Sequence, residues 1–357
     1  MAMEESPGEP GPLGTNLTGD VRERAEAHAE GSALSIALAA AREIYRFLCA
    51  RVSMAVGVFL FVTSLYAKSH YLGAYVGEYD EGIIVNGANA ILLGDFPYRN
   101  FYTNYPPGVF LTLAAIWKIS GVSLAGYRLF GAVIHLALGI VAGRLAGRVA
   151  GSRHRFSWLA CGLVSVWTIH LGVVPYAWIA ALAFLGLALD RILWAIDTPS
   201  RRRFVIAGVA YGLVSCFRHD MFVHFTWVMV LVLLVPNRYW TRLGATKPSR
   251  TRIVEFLAGA AIPILLVWGP IAVIAGIPLI LRDTVIDQAR YVLPGRVLPF
   301  PPLFQTNPGD HLPQFAVSMF AQAVFLTLIG PLLALLHLFG KRPNRTAIFF
   351  LFPAAVG

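Results

Sequence analysis

Long, uninterrupted apolar runs are the feature of this sequence that most limits its fold. A helix needs about 20 apolar residues to cross roughly 30 Å of hydrocarbon. The runs are continuous rather than alternating, which excludes a β-barrel. The sequence therefore predicts an all-α polytopic membrane protein with about nine spans, at 52–72, 128–147, 156–174, 176–196, 204–219, 221–236, 253–275, 316–339 and from about 347 onward.

The composition excludes an ordinary soluble enzyme. Only 13% of the 357 residues are charged and 57% are hydrophobic, whereas soluble domains carry about 25% charged residues. The net charge of +10 is better explained by basic loops that orient the helices than by a nucleic-acid partner. The three cysteines are far apart in the sequence and form no metal-type pair.

Basic residues predict the side of the membrane on which each loop lies. If the short apolar piece 107–120 lies at the membrane surface, 20 Lys and Arg residues fall on one side. The positive-inside rule favours that topology, with a cytoplasmic N-terminus. The outer side then holds two long loops, 73–127 and 276–315, and two short corners.

The two ends of the chain differ from the membrane domain. Residues 1–20 are rich in Gly, Pro and acid, which predicts disorder. The rest of the segment 1–48 is predicted as an amphipathic helix on the cytoplasmic surface. Because the chain stops in the middle of its last apolar run, we expect a truncated C-terminus.

Two adjacent acids in the first loop are candidate catalytic groups. Asp80 and Glu81 follow the first span, and ionisable groups at a membrane boundary are costly to desolvate. A periodic apolar pattern over 83–92 predicts a juxtamembrane helix, with the pair in its N-terminal turn. The alternative, a solvated loop charge, is favoured for the nearby Glu78 and Asp95.

An arginine among aromatic residues follows in the same loop. The stretch PYRNFYTNYPPG places Arg99 between Tyr98 and Tyr105, a composition typical of the interface between membrane and water. Arg99 can hold a phosphate through two parallel hydrogen bonds, with the two tyrosines as substrate contacts. The alternative is that Arg99 caps the loop or pairs with Asp95.

Further candidates lie at the outer corners and in the second long loop. Arg218, His219 and Asp220 separate two apolar segments and are predicted to contact a phosphate or sugar, with Arg218 on the phosphate. The alternative is that Arg218 pairs with Asp220 and ends a helix. Weaker substrate-binding candidates, in chain order, are His170, Arg290 and Arg296.

Some features argue against other classes of protein. No Walker A, HExxH, paired CxxC or GxSxG sequence occurs. The apolar segments do not form two similar halves, which weakens an inverted-repeat transporter.

His135, in the middle of a span, is predicted to make a hydrogen bond between helices, and the pair Asp190-Arg191 lies toward an inner end.

The order of these features resembles the membrane-embedded GT-C glycosyltransferases. A first span, an Asp-Glu pair, the pattern A…LLG.FPYR.F…YPPG and a short apolar helix with G.SL.G.R are similar to the bacterial protein O-mannosyltransferases and lipid A aminoarabinose transferases. The resemblance covers about residues 52–150. The later segment AGVAYGLVSCFRHD agrees only in general pattern.

The resemblance implies a GT-C-like transmembrane glycosyltransferase domain over residues 49–357. Such an enzyme transfers a sugar, with inversion, from a polyprenyl-phosphate donor to a hydroxyl of a lipid, glycan or protein at the outer face of a bacterial plasma membrane. The family's catalytic base maps onto Asp80, with Glu81 as its partner. No cofactor is assigned, and a divalent metal at these two acids stays open.

The sequence also departs from the family at one outer corner. Many relatives carry a second acid at the outer corner after the third span, where this chain reads HLGVVPYAW. Either Asp220 replaces that acid or the acceptor differs. The alternatives to the enzyme are a lipid-linked sugar flippase or transporter and a non-catalytic membrane assembly subunit.

Overall fold

The computed structural model describes residues 17–73, 80–149, 157–234, 241, 247–287 and 290. In this part the chain forms ten α-helices, two 3₁₀ turns and one π-helical turn at Arg282–Ile286. In chain order the helices are α1 Leu17–Ser69, α2 Asp80–Leu92, α3 Gly108–Ser120, α4 Leu124–Val149, α5 Ser157–Trp167, α6 Ala177–Asp197, α7 Arg201–Phe217, α8 His219–Leu234, α9 Arg250–Ala275 and α10 Ile277–Leu281.

The first helix is longer than the sequence predicted. The chain divides into two compact units, Met1–Ser53 and Met54–Gly357, and α1 is one continuous helix of 53 residues. Residues 17–20, predicted to be disordered, are helical. The physical reason is that α1 contains no proline and its first half is rich in Ala, Glu and Arg, which are strong helix formers.

Over the described residues the chain is helical without named strands, which agrees with the predicted all-α membrane protein. Four helices are long and apolar enough to cross a membrane, over Leu38–Gly73, Leu124–Arg148, Ala177–Asp197 and Arg250–Ala275. Three predicted spans correspond to shorter helices of 11, 17 and 16 residues, namely α5, α7 and α8. The predicted spans at 316–339 and beyond 347 lie outside the described residues.

The first loop contains two short helices, as the sequence predicted. Helix α3 buries one face, including Val109, Phe110 and Leu113. Its partner α2 buries Ile84 and packs Gly87 against the Phe110 ring. The piece 107–120 is therefore a helix docked on the hydrophobic core by its apolar face, because its apolar residues recur at helical spacing.

Glycine permits the closest approach between α7 and α9. A Cβ atom at Gly208 would overlap the carbonyl oxygen of Phe256, and one at Gly212 would overlap that of Ala260. On the facing helix, a Cβ at Gly259 would overlap the carbonyl oxygen of Val205. Small residues at such crossings let two backbones pack directly, which replaces the hydrophobic driving force that is missing between helices in lipid.

This packing predicts that Gly208→Ala destabilises the protein by about 1–3 kcal/mol, the usual cost of overpacking. The matched control is Gly269→Ala in α9, where no atom lies within 4 Å of the added methyl group. Thermal unfolding of the two purified variants in detergent should show a lower midpoint for Gly208→Ala alone. Equal midpoints would contradict the close crossing of α7 and α9.

Candidate functional site

Asp80 lies in the first turn of α2, where the sequence predicted it. Its Oδ1 accepts a hydrogen bond of 2.8 Å from the Tyr105 hydroxyl, and its side chain is half-buried. The N-terminus of a helix stabilises negative charge through its unsatisfied N–H groups. Asp80 is thus a fixed carboxylate that solvent still reaches.

Glu81 is adjacent in sequence but lies in a different environment. Neighbouring residues on a helix point about 100° apart, so Glu81 turns into the core, with 7% of its surface exposed. Its Oε1 accepts hydrogen bonds from Arg128, which is 2% exposed, and from the Tyr127 hydroxyl at 3.2 Å. Glu81 joins α2 to α4 through a buried ion pair.

The corner between α7 and α8 contains a second ion pair. Arg218 donates from Nε to Oδ1 of Asp220 at 2.8 Å and from Nη2 to Oδ2. This is the pairing that the sequence left as the alternative to a phosphate contact. Arg218 also lies within electrostatic range of Asp80 and Tyr105, so the fold brings this corner to the first-loop acid.

The groups Asp80, Tyr105, Arg218 and Asp220 form what we name the Asp80 cluster. His219 follows Arg218 in the chain, and its ring approaches the backbone of Thr284 in the π-helical turn. Its Nδ1 is buried without a hydrogen-bond partner among the described residues. π-Helical turns often occur at functional sites, and this one borders the corner that carries Arg218.

Tyr98 supports the loop that carries Tyr105. Its side chain is 2% exposed, stacks on Trp268 with ring centroids 6.0 Å apart, and donates to the Tyr105 carbonyl at 2.9 Å. Burial raises the pKa of the Tyr98 hydroxyl, and the negative charge of Asp283 raises it further. Its φ of 68° is rare for a residue other than glycine, so tertiary packing holds this turn.

Four other predicted site residues lie elsewhere or outside the description. Arg99 has an exposed side chain in the turn before α3, and His170 is exposed with its Nδ1 2.7 Å from the Trp167 carbonyl. Among the described residues, neither hydrogen-bonds or ion-pairs with Asp80 or Arg218. Arg290 is exposed at the end of the described chain, and Arg296 lies outside the described residues.

Sequence reasoning missed three residues that surround the two acids. Tyr127 and Arg128 bind Glu81, and Tyr176 lies within electrostatic range of both acids. The signal for Arg128 was present, since an arginine at the start of an apolar run needs a partner in the protein. No sequence pattern paired it with Glu81, which is 47 residues away.

A separate polar cluster links α1 and α4 to the turn that follows α5, and we name it the Lys68 cluster. Lys68, 6% exposed, donates to the Thr168 hydroxyl at 2.7 Å and lies 2.9 Å from Nδ1 of His135. The other ring nitrogen of His135 is 3.0 Å from the Val174 carbonyl. The predicted hydrogen bond between helices at His135 is confirmed.

The donor groups around the two acids bear on the open question of a divalent metal. In the part of the chain that the structure describes, no three His, Cys, Asp or Glu side chains lie together as potential ligands. Glu81 is also engaged by Arg128.

Comparison with known proteins gives no relative on which to base a function. No family model, curated protein or solved structure matches this chain. The chemistry of the Asp80 cluster and its neighbours is therefore the basis for a proposed function.

The buried ion pair predicts that Arg128→Met lowers the free energy of unfolding by about 3–5 kcal/mol, because it leaves the Glu81 carboxylate buried without its cation. The double variant Arg128→Met/Glu81→Gln should recover part of this loss. Arg99→Met, at an exposed position of the first loop, is the matched control and should keep wild-type stability. An Arg128→Met protein as stable as the control would show that the pair does not fix α2.

Proposed function

We propose that this chain is an inverting glycosyltransferase that moves a sugar from a polyprenyl-phosphate donor to an acceptor hydroxyl. The observation that carries this proposal is the Asp80 cluster, in which a half-buried carboxylate is held by Tyr105 with a guanidinium in electrostatic range. Hydroxyl attack on a sugar phosphate requires a base for the hydroxyl proton and a cation for the charge on the departing phosphate. The family resemblance in the first loop supports the same reaction.

In the proposed step, Asp80 removes the proton from the acceptor hydroxyl. The acceptor oxygen attacks the anomeric carbon, a new C–O bond forms, and the bond from that carbon to the phosphate oxygen breaks. The bonding electrons leave with polyprenyl phosphate, and the single displacement inverts the configuration. Tyr105 keeps the carboxylate oriented through the hydrogen bond to its Oδ1.

Arg218 is proposed to stabilise the departing phosphate. Two of its N–H groups bind Asp220, and a guanidinium has five such donors in a planar fork. The other donors can bind phosphate oxygens while Asp220 holds the side chain in place. This pairing makes Asp220 a positioning residue for Arg218 and assigns a role to both members of the corner.

The two acids receive different roles in this proposal. Asp80 is accessible and accepts one neutral hydrogen bond, so it can take up a proton. Glu81 is held by Arg128 and Tyr127 in the core, so it positions α2 rather than acting as a second base. The long isoprenoid tail of the donor explains why such a site belongs in a membrane protein, and we propose the outer face of a bacterial plasma membrane as its location.

The proposed base predicts that Asp80→Asn lowers sugar transfer by at least about 10²-fold, since general-base catalysis contributes this much or more. The measurement uses membranes containing the protein and radiolabelled polyprenyl-phosphate pentoses, aminopentoses and hexoses. Label in lipid, glycan and protein fractions is then compared between wild type and variant. The direction of effect follows because an amide cannot accept the proton.

Matched variants separate chemistry from folding. Asp95→Asn changes an exposed acid of the same loop and should keep full transfer, while Tyr105→Phe should lower transfer without unfolding the protein. Full activity of Asp80→Asn would remove it as the base. Absence of transfer by folded wild-type protein with every donor would favour a transporter or an assembly subunit.

The Lys68 cluster is the observation that favours a transporter as the second candidate. A nearly buried lysine bound to a histidine within helices long enough to span a membrane is the kind of group that lines a transport path. Accumulation of a lipid-linked sugar in vesicles, without a new glycosidic bond, would support this function. In that case Lys68→Met should abolish accumulation and Asp80→Asn should not.

A further inference from the structure

A second charged site lies far from the Asp80 cluster. A cavity of about 650 Å³ is lined by residues of α4, α5, α6 and the start of α7. Arg144 in its wall is 16 positions after Arg128 on α4, which corresponds to about 24 Å along a helix. We name this space the arginine cavity, and none of the residues of the proposed transferase lines it.

Asp190 is the centre of the arginine cavity. Its side chain is fully buried, and Oδ2 lies 3.0 Å from Nη2 of Arg144 and 3.2 Å from Nη2 of Arg191. Its other oxygen, Oδ1, accepts from Nε of Arg148. One buried carboxylate therefore orients three guanidinium groups toward a common space.

The cavity carries more cations than anions. Its lining includes four arginines and two aspartates, which leaves an excess of two positive charges. The second aspartate, Asp197, lies 3.7 Å from Nη1 of Arg148. A single arginine would neutralise Asp190, so neutralisation of that acid does not account for the whole set. The guanidinium groups still reach the cavity space, since 47% of the Arg144 side chain and 25% of the Arg148 side chain are exposed. A bound anion would therefore balance the excess positive charge through charged hydrogen bonds.

The fourth arginine is held by an aromatic ring. The Arg203 guanidinium lies 4.2 Å from the centroid of the Trp194 ring, and its Nη1 donates to the Thr198 carbonyl at 2.6 Å. Arg191 also approaches Trp194, at 5.4 Å from the centroid. Stacking fixes the planes of these groups, and a fixed guanidinium fork binds phosphate oxygens in pairs.

Much of the rest of the wall is apolar. Ile140, Trp158 and Cys161 line the cavity together with the charged groups, and Trp158 is 42% exposed. A free inorganic ion would gain nothing from these side chains, whereas an alkyl chain next to a phosphate would bury them. Basic pockets between membrane helices bind the headgroups of anionic lipids in the same way.

We propose that the arginine cavity binds the phosphate group of an anionic amphiphile, with the phosphate on the arginines and the chain along Ile140 and Trp158. The phosphate could belong to a membrane phospholipid or to a soluble phosphate compound, and the shared chemistry is a phosphate on guanidinium groups. This site is independent of the proposed sugar transfer, so failure of one does not affect the other.

The test measures binding to the purified full chain in a neutral detergent. Short-chain phosphatidylglycerol, short-chain phosphatidylcholine and inorganic phosphate are titrated separately, with binding followed by calorimetry. We expect phosphatidylglycerol to bind and Arg144→Gln to weaken it about tenfold, as the loss of one charged hydrogen bond predicts. Arg144 is suited to the test because 47% of its side chain is exposed and Asp190 keeps two other arginine partners.

The control is Arg202→Gln, which removes an exposed arginine next to Arg203 that does not line the cavity. This variant should bind phosphatidylglycerol like wild type, and Arg203→Gln should weaken binding as Arg144→Gln does. Inorganic phosphate that binds as tightly as the lipid and shows the same dependence on Arg144 would assign the site to a soluble phosphate. Equal binding of both lipids, unchanged in Arg144→Gln and Arg203→Gln, would overturn the proposal.

Discussion

The buried ion pair between Glu81 and Arg128 is the contact on which the arrangement around Asp80 depends. Helix α2 has only 13 residues, so its apolar stripe alone would not fix its position along the core. Removing two charges from water is costly unless their geometry is fixed, and Tyr127 adds a hydrogen bond to the same carboxylate. The pair thus fixes the rotation of α2 and its position against α4, and with them the direction of the Asp80 side chain.

The two charged regions of the helical bundle use acids in opposite ways. In the Asp80 cluster the acid keeps solvent access and a neutral hydrogen-bond partner, which leaves it free to accept a proton. In the arginine cavity Asp190 is fully buried and orients three arginines. The first arrangement suits proton transfer and the second suits binding of an anion. The roles proposed for them differ because burial and partners differ, although the residue type is the same.

Much of the candidate site could be predicted from the sequence because its signals are local. The acids fall directly before a periodic apolar stretch, and both lie in the first turn of α2. The corner at Arg218 interrupts two apolar segments, and α7 ends one residue before it. Residues 17–20, within the predicted disordered segment, are helical, because the helix formers in the first half of α1 outweigh Gly19. The partner of Arg128 could not be predicted, since the contact spans 47 positions.

The sequence by itself determined that this protein is helical and built for a membrane, and that its acids stand at a helix start. These properties depend on hydropathy and spacing over a few turns, which a linear chain already contains. Only the tertiary structure decided that Glu81 enters the core and that Arg218 pairs with Asp220 within electrostatic range of Asp80. It also decided that four arginines from three helices line one cavity. Those outcomes depend on which helices touch. Which helices touch is decided by close packing, as at Gly208 and Gly212, and by the desolvation of paired charges. Both act only between segments that folding has brought together.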